Sequence, residues 1–241
     1  MTMYALYLES GPKRRKTMVH ALDLLGCVAT GPTTDDALAA TPEAIRAYLR
    51  FLRRHGEHGV AAPDAPFTTH VVEHITEGGW LGNGSPYLVF GPDVQPIGDA
   101  EIEVYLNRCR WLDDELADWA AQRTAAQLDA PPATGGRAAR AVLQHTLSAQ
   151  GSYLAAALGS APGFAALSSS VERGERDVAD ALRQCATLVA ERVRATTPEQ
   201  RVAVRSLPAG PRTLRKALRR VLEHSWEHLA ELGRRPDGPA L

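Results

Sequence analysis

The chain has 241 residues, and its 27 lysines and arginines against 28 aspartates and glutamates give a formal net charge of -1, which provides no electrostatic footprint for a nucleic acid or an anionic membrane. The three cysteines, Cys27, Cys109 and Cys185, are far apart and show no CxxC spacing, which argues against a disulfide framework or a thiolate zinc site and favours a reducing compartment. No apolar run approaches the roughly 20 residues of a membrane span and the first residues do not resemble a signal peptide, so we expect a soluble cytoplasmic protein with room for two domains.

Short segments with strand-like patterns dominate the first third of the chain. Turn residues separate them, and GPKRRK between the first two is predicted to be a hairpin tip. The predicted strands are YALYL (4–8), TMVHALD (17–23), GCVATG (26–31), FTTHVVEHITEG (67–78) and, as a further short strand, YLVF (87–90).

One helix is predicted before the fourth strand. Apolar residues recur there at steps of three and four, from Ala44 to Leu52. Two starts are compatible with the pattern: Thr41 as the cap with Pro42 at the first helical position, or a start near Thr34 with Pro42 inside a kinked helix.

The stretches DLLGCVATG and GPTTDDALAATPEAI carry a resemblance that covers about residues 1–80. In order and spacing they resemble the turn and the start of the helix in the HicB-like antitoxin domain, although Leu25 stands where that family usually has proline. The resemblance implies a small strand-strand-strand-helix-strand domain, placed at residues 1–82, that docks a protein partner. The DNA-binding module commonly joined to such antitoxins is missing, so a repressor role is not expected.

The second half is predicted to be helical almost throughout. After a linker at 83–98, four amphipathic stripes are separated by the Pro- and Gly-rich segments DAPPATGG and LPAGP, and four such helices need a shared core. The stripes run over about residues 102–119, 142–156, 178–193 and 214–232. We therefore predict an α+β protein whose second domain is a four-helix bundle at 99–234, followed by a tail at 235–241.

Three histidines in this half suggest a metal site. His224 and His228 are four residues apart, so their imidazoles lie on the same face of a helix, at one edge of its apolar side and opposite Lys216 and Glu223. His145 lies on the inward stripe of the second helix. Taken alone, a helical pair of this kind is more often a set of core histidines bonded to carbonyls or carboxylates.

The segments VLQHTLSAQGSYL and LRKALRRVLEHSWEHLAEL resemble two motifs of the DinB-like four-helix-bundle superfamily, and the resemblance covers about residues 99–234. It implies that His145, His224 and His228 ligate a divalent metal ion, with zinc, nickel and iron all suited to nitrogen ligands. It also implies a thiol transferase, an isomerase or a hydrolase. Gln150 replaces the glutamate of many relatives, so the acid/base role expected there is in doubt; Gln150 and Tyr153 are candidates for the wall of a ligand pocket.

Two other histidine patterns are set aside. HSWEH fits the inverted zinc-peptidase motif, but no distant glutamate follows, since Glu231 is in the next turn of the same helix. His70 and His74 are four apart on a predicted strand, where that spacing separates them by about 13 Å.

Two hypotheses on function follow. The first is a metal-dependent enzyme for a small-molecule substrate, with a low-molecular-weight thiol as one candidate and no catalytic residue identified. The second is a non-catalytic binding or sensor module in which residues 1–82 dock a protein. Neither involves nucleic acid or a membrane, and both are compatible with a homodimer.

Overall fold

The computed structural model describes residues 1–133, 135–208 and 210–241, together with every side chain in them except that of Arg14. Thr134 and Ala209, which belong to the predicted breaker segments DAPPATGG and LPAGP, lie outside the described part. The architecture is α+β, as predicted: a small sheet comes first and a mostly helical region follows. The chain forms two compact units, Met1–Gln95 with Val204–Arg212 and Leu241, and Pro96–Ala203 with Thr213–Ala240. The finer boundaries derived from the sequence stay predictions.

The first unit is built on a four-stranded sheet and one helix. The elements are β1 (Thr2–Ser10), β2 (Thr17–Ala21), β3 (Val28–Gly31), α1 (Thr34–Arg54) and β4 (Phe67–Ile75). The strand order is β3-β2-β1-β4; β1 pairs antiparallel with β2 and parallel with β4. A parallel pair needs a crossover connection, and α1 lies on the connection between β3 and β4. The order of elements therefore matches the predicted one.

Helix α1 begins at the earlier of the two predicted starts. Thr33 is its cap and accepts a hydrogen bond from the Asp36 amide, and Asp35 and Asp36 occupy the first turn, where the helix dipole favours negative charge. Pro42 is inside the helix, and the Thr41 hydroxyl donates to the Ala37 carbonyl instead of capping. The apolar stripe of the second half of the helix continues without a new start.

Replacing Pro42 by alanine is expected to stabilise the first unit. Proline inside a helix removes one backbone hydrogen bond and clashes with the preceding turn, at a cost of up to about 3 kcal/mol. Because Pro42 is exposed, its loss leaves no cavity. We expect the free energy of unfolding, measured by urea denaturation, to rise by roughly 1 to 3 kcal/mol. The exposed substitution Glu43→Ala in the same turn is the control; a Pro42→Ala protein no more stable than this control would contradict the prediction.

The predicted strand at residues 87–90 is wrong, because that segment is irregular and ends in a short 3-10 turn at Gly91–Val94. Side chains, not a neighbouring strand, bind the backbone amides of Phe90 and of Ser85 just before the segment. The buried Glu9 carboxylate accepts hydrogen bonds from the Ser85 amide at 3.0 and 3.1 Å, and the Asp93 carboxylate accepts one from the Phe90 amide at 3.0 Å. The Phe90 ring packs against Tyr7, with 5.3 Å between ring centroids. The segment thus covers the sheet without joining it.

The second unit is a helical bundle. Its elements are α2 (Asp99–Ala121), α3 (Ala125–Asp129), α4 (Ala139–Leu158), α5 (Phe164–Glu172), α6 (Val178–Arg194), α7 (Pro198–Val202) and α8 (Leu214–Gly233). Between α7 and α8 the chain forms the hairpin of β5 (Arg205–Leu207) and β6 (Gly210–Arg212), which belongs to the first unit. The four long helices coincide with the four predicted stripes, and α2 packs on α6 and α8 while α4 packs on α8 and α6. The three short helices and the hairpin were not predicted. Within the described ranges, no helix combines the length and apolar character that a membrane span requires.

Helix α8 is buried on nearly every side. Its apolar residues Leu218, Leu222 and Leu229 are fully buried, but so are several charged residues: Lys216, Arg219, Arg220 and Glu223. Arg219 and Arg220 both donate to one oxygen of Glu223, at 2.9 and 2.7 Å. These charges are tolerated in the interior because they are paired and hydrogen-bonded.

Candidate metal centre

The three histidines predicted from the sequence lie together in the bundle. His224 and His228 are one turn apart on α8, and His145 projects from α4, which packs against α8. His224 and His228 are each 6% exposed, whereas His145 is exposed, so the cluster has one side open to solvent. When the histidine, cysteine and acidic side chains of the described residues are compared, these three histidines form the group whose geometry suits a metal ion.

The ring nitrogens converge on one region. The Nε2 atom of His224 is 3.0 Å from Nε2 of His145 and 3.1 Å from Nε2 of His228. The three candidate ligand atoms all lie within 4.8 Å of one another, and the rings meet edge to face. The Nε2 atom of His224 offers either one N–H or one lone pair, so it cannot form a full hydrogen bond to both neighbouring nitrogens.

The surroundings keep two of the rings neutral. Burial lowers the pKa of His224 well below its usual range, and the nearby His228 and Arg220 add to the effect. The pKa of His145 is lowered as well, chiefly because its imidazole is partly removed from water, and the nearby His228 adds to the effect. Neutral imidazoles have a free lone pair, which is the form that binds a metal.

A carboxylate orients the third ring. The Nδ1–H of His228 donates to an oxygen of Glu231 at 2.8 Å, which leaves the lone pair of the neutral ring on Nε2, toward the cluster. Arg137 donates to the same Glu231 oxygen at 3.2 Å, and Arg235 lies 3.5 Å from the other. The hydrogen bond from His228 and these cations lower the pKa of Glu231 to about 2. Glu231 is therefore an ionised hydrogen-bond acceptor whose position is fixed by His228 and the two arginines. In the sequence, its spacing of three residues from His228 is the signal that points to it.

One nitrogen of the cluster has no partner in the described part of the chain. The buried Nδ1 atom of His224 accepts and donates no hydrogen bond. If this ring bound a metal through Nε2, its proton would be on Nδ1, in a position that costs some stability. The His228 ring is therefore held by a hydrogen bond at its outer nitrogen, whereas the His224 ring is not.

Tyr153, a predicted pocket residue, is next to the cluster. Its half-buried ring is 5.8 Å from the His224 ring, centroid to centroid. The guanidinium of the buried Arg220 lies 5.5 Å from the Tyr153 ring centroid and hydrogen-bonds its side chain. The phenol is thus fixed beside the histidines by a cation that is one turn before His224.

Gln150, the other predicted pocket residue, is in a buried polar group that takes one side chain from each long helix. Its amide nitrogen donates to Asp113 of α2 at 2.7 Å and lies 3.5 Å from the Ser225 hydroxyl of α8, and its carbonyl accepts from the Cys185 thiol of α6 at 3.4 Å. Burial raises the pKa of Asp113 to about 8, against the effect of the Gln150 hydrogen bond, so at pH 7 this carboxyl is mostly protonated. Sequence reasoning missed Asp113, which looks like one more polar residue on α2.

His70 and His74, which the sequence excluded as a pair of ligands, are both on β4. His74 is bonded through Nε2 to the buried Ser10 hydroxyl at 2.7 Å. Among the residues described, neither belongs to a group of side chains that could bind a metal ion together.

Comparison with known proteins identifies the helical region. The family model of the DinB superfamily matches residues 109–232, just over half of the chain, and this range contains all three clustered histidines. No curated protein and no solved structure gives a significant match. The family match does not include residues 1–108, and the HicB-like character of the first unit stays a prediction.

Proposed function

Because the chain belongs to the DinB superfamily, we propose that it is a metal-dependent enzyme in which His145, His224 and His228 hold one divalent ion. The observation that carries the proposal is the convergence of three imidazole nitrogens at the open side of the bundle. The donor set fits zinc, nickel or iron, since borderline cations favour neutral imidazole. Glu231 supplies the carboxylate partner that metal-ligating histidines usually have.

The chain contributes three nitrogens, which leaves coordination positions for a substrate. When bound, such an ion would supply Lewis-acid chemistry to a ligand in an open position. His145 is exposed, so the substrate side of the cluster is accessible to solvent. Tyr153 lies beside it, where its phenol can donate a proton to the substrate or accept one. The Arg220 cation behind the ring holds the phenol in place.

The reaction classes that suit this arrangement are thiol transfer, isomerisation and hydrolysis, on a small molecule such as a low-molecular-weight thiol. The test compares metal-free, zinc-loaded, nickel-loaded and iron-loaded protein. The reactions are conjugation of glutathione to an aryl halide, isomerisation of maleylpyruvate and hydrolysis of a p-nitrophenyl ester. We expect a rate that needs the ion and is lost in Tyr153→Phe and His145→Ala. A rate that is unchanged by chelation would contradict the proposal.

Glu231→Gln is expected to weaken metal binding by about 10- to 100-fold, the usual effect of losing the partner of a ligating histidine. The amide keeps the size of the side chain but no longer enforces a proton on Nδ1 of His228. The measurement is competition with a chromophoric chelator at pH 7.5. Glu175→Gln, an exposed carboxylate paired with Arg173, is the control. Equal affinities for the two variants would show that Glu231 does not support the site.

A second candidate function is suggested by β4. It is an edge strand, and its Val71 and Val72, at an irregularity in the pairing with β1, are 47% and 50% exposed. An exposed strand edge is a template for pairing with another chain, so residues 1–82 could serve to dock a protein or a second copy. Full-length Val72→Lys and wild-type protein are compared by co-purification and by light scattering. A partner or dimer lost in the variant supports docking, whereas identical behaviour argues against it.

A further inference from the structure

The helical unit has a cavity apart from the histidine cluster. Its volume is about 810 Å³, within the range of small-molecule sites. The described walls come from the end of α2, from residues 122–133 and 135–139 on the way into α4, and from the end of α8 with residues 234–237. None of the three clustered histidines lines it, but Glu231 does.

The charged groups on the walls are predominantly cationic. Arg123, Arg234 and Arg235 face two carboxylates, Glu231 and Asp237. Glu231 is already engaged by His228, Arg137 and Arg235. With the paired Arg235 and Glu231 set aside, Arg123 and Arg234 remain against Asp237, an excess of positive charge that favours an anion.

Arg123 is the residue best placed to bind that anion. Its guanidinium lies 3.9 Å from the Trp119 ring centroid, and its N–H groups donate to the backbone carbonyls of Trp119 and Asp237. In the described part of the chain, no carboxylate pairs with it. A half-buried guanidinium held over an aromatic ring, with only carbonyls as its hydrogen-bond partners, keeps N–H groups for a charge-assisted bond to a carboxylate or phosphate.

Much of the remaining wall is apolar, although Gln122 and Gln127 also line it. Trp119 is joined by Pro131, Pro132 and Pro236, and by the small side chains of Ala130 and Ala139. Such walls favour a compact apolar body over a highly solvated ion, because burial of apolar surface adds to the binding energy.

We propose that this cavity is a binding site for an organic anion, a carboxylate or a phosphate ester carried on a compact apolar body, with Arg123 as its anchor and Arg234 as a second cation. The site is one side chain away from the histidine cluster, because Glu231 contacts His228 and also lines the cavity. The inference stands on the cavity alone and does not require a metal ion.

The test is calorimetric titration of the full chain with phenyl phosphate, with benzoate and with benzyl alcohol, which has a similar body and no charge. We expect at least one of the two anions to bind at least about tenfold more tightly than benzyl alcohol. Which anion binds more tightly distinguishes a phosphate site from a carboxylate site. Equal binding of all three probes, or no binding of either anion, would overturn the proposal.

Variants locate the binding. Arg123→Gln should weaken the binding of the preferred anion by about tenfold or more, the usual effect of losing a charge-assisted hydrogen bond. Arg234→Gln, an exposed residue, should weaken it with no effect on the fold, so the test does not depend on the Arg123 variant alone. Arg173→Gln, which removes an equal charge outside the cavity, should bind like the wild type. Arg123→Gln and Arg234→Gln proteins that fold and bind like the wild type would overturn the assignment.

Metal-free His145→Ala protein separates this inference from the proposed enzyme. Retention of anion binding by this variant supports a cavity site that is independent of the histidines. Loss of binding would show that the anion is held at the histidine cluster, and would overturn the proposal.

Discussion

Replacing His224 by alanine is expected to reduce the affinity for a divalent ion by more than about 100-fold. His224 is at the centre of the cluster, with its Nε2 atom close to the Nε2 atoms of both other rings. Its loss removes one of three ligands and separates the remaining two, so the effect should exceed the 10- to 100-fold loss that follows removal of an outer partner. The measurement is chelator competition with zinc, nickel and ferrous iron.

Two comparisons make this result specific. His70→Ala removes an exposed histidine of β4 and should leave the affinity unchanged. His145→Ala removes an exposed ligand without opening a cavity, so it should lose affinity while keeping the stability of the metal-free fold. If both cluster variants bound zinc as tightly as the wild type, the three rings would be core histidines and not ligands.

Asp113→Asn is expected to stabilise the metal-free protein increasingly as pH rises from 4 to 8. The pKa of Asp113 is raised from 3.8 to about 8 by burial. Between these values the carboxyl is ionised in the unfolded chain and protonated in the fold, so the folded state binds more protons and the free energy of unfolding falls with rising pH. By pH 8, the free energy of unfolding of the wild type has fallen by up to about 5 kcal/mol through this one carboxyl. Asparagine keeps the carbonyl that accepts from Gln150 and removes the titration.

The measurement is urea unfolding at pH 5 and pH 8 in the presence of a chelator. The difference in stability between Asp113→Asn and wild type should grow by several kcal/mol between the two pH values. Asp118→Asn, an exposed carboxylate on the same helix, should show no comparable growth. His145 and His224 act in the opposite direction, because their lowered pKa values make the fold lose stability in acid. Their contribution is the same in both proteins, so it cancels when the variant is compared with the wild type at each pH. A constant difference would mean that Asp113 is ionised inside the bundle.

The long helices, and the order in which strands and helix follow one another along the first unit, could be predicted because they depend on local patterns. The stripes around Leu112, Leu182 and Leu222 extend over four or more turns, and that length makes the period clear. The start of α1 could not be decided, since Thr33 and Thr41 can both cap and proline is allowed at a first helical position. YLVF looked like a strand because its apolar residues are contiguous, whereas its Phe90 amide is bound by the side chain of nearby Asp93, and the Ser85 amide just before it by that of the distant Glu9.

At the site, the sequence showed which helices carry the histidines but not what surrounds them. Spacing alone places His224 and His228 on one face, and the family resemblance adds His145. The buried partners are contributed across helices: Asp113 from α2 reaches Gln150 on α4, a contact between residues 37 apart. The burial of Lys216 and Arg219 could not be predicted either, because a charged helical face usually faces water.

The most direct test of the metal centre is the metal content and zinc X-ray absorption spectrum of protein purified without a histidine tag and equilibrated with zinc. We expect one zinc ion per chain, with three imidazole nitrogens at about 2.0 to 2.1 Å from it, and we expect His145→Ala to lose this spectrum. Protein that retains no zinc, or zinc whose first shell lacks imidazole and is unaffected by His145→Ala, would contradict this expectation.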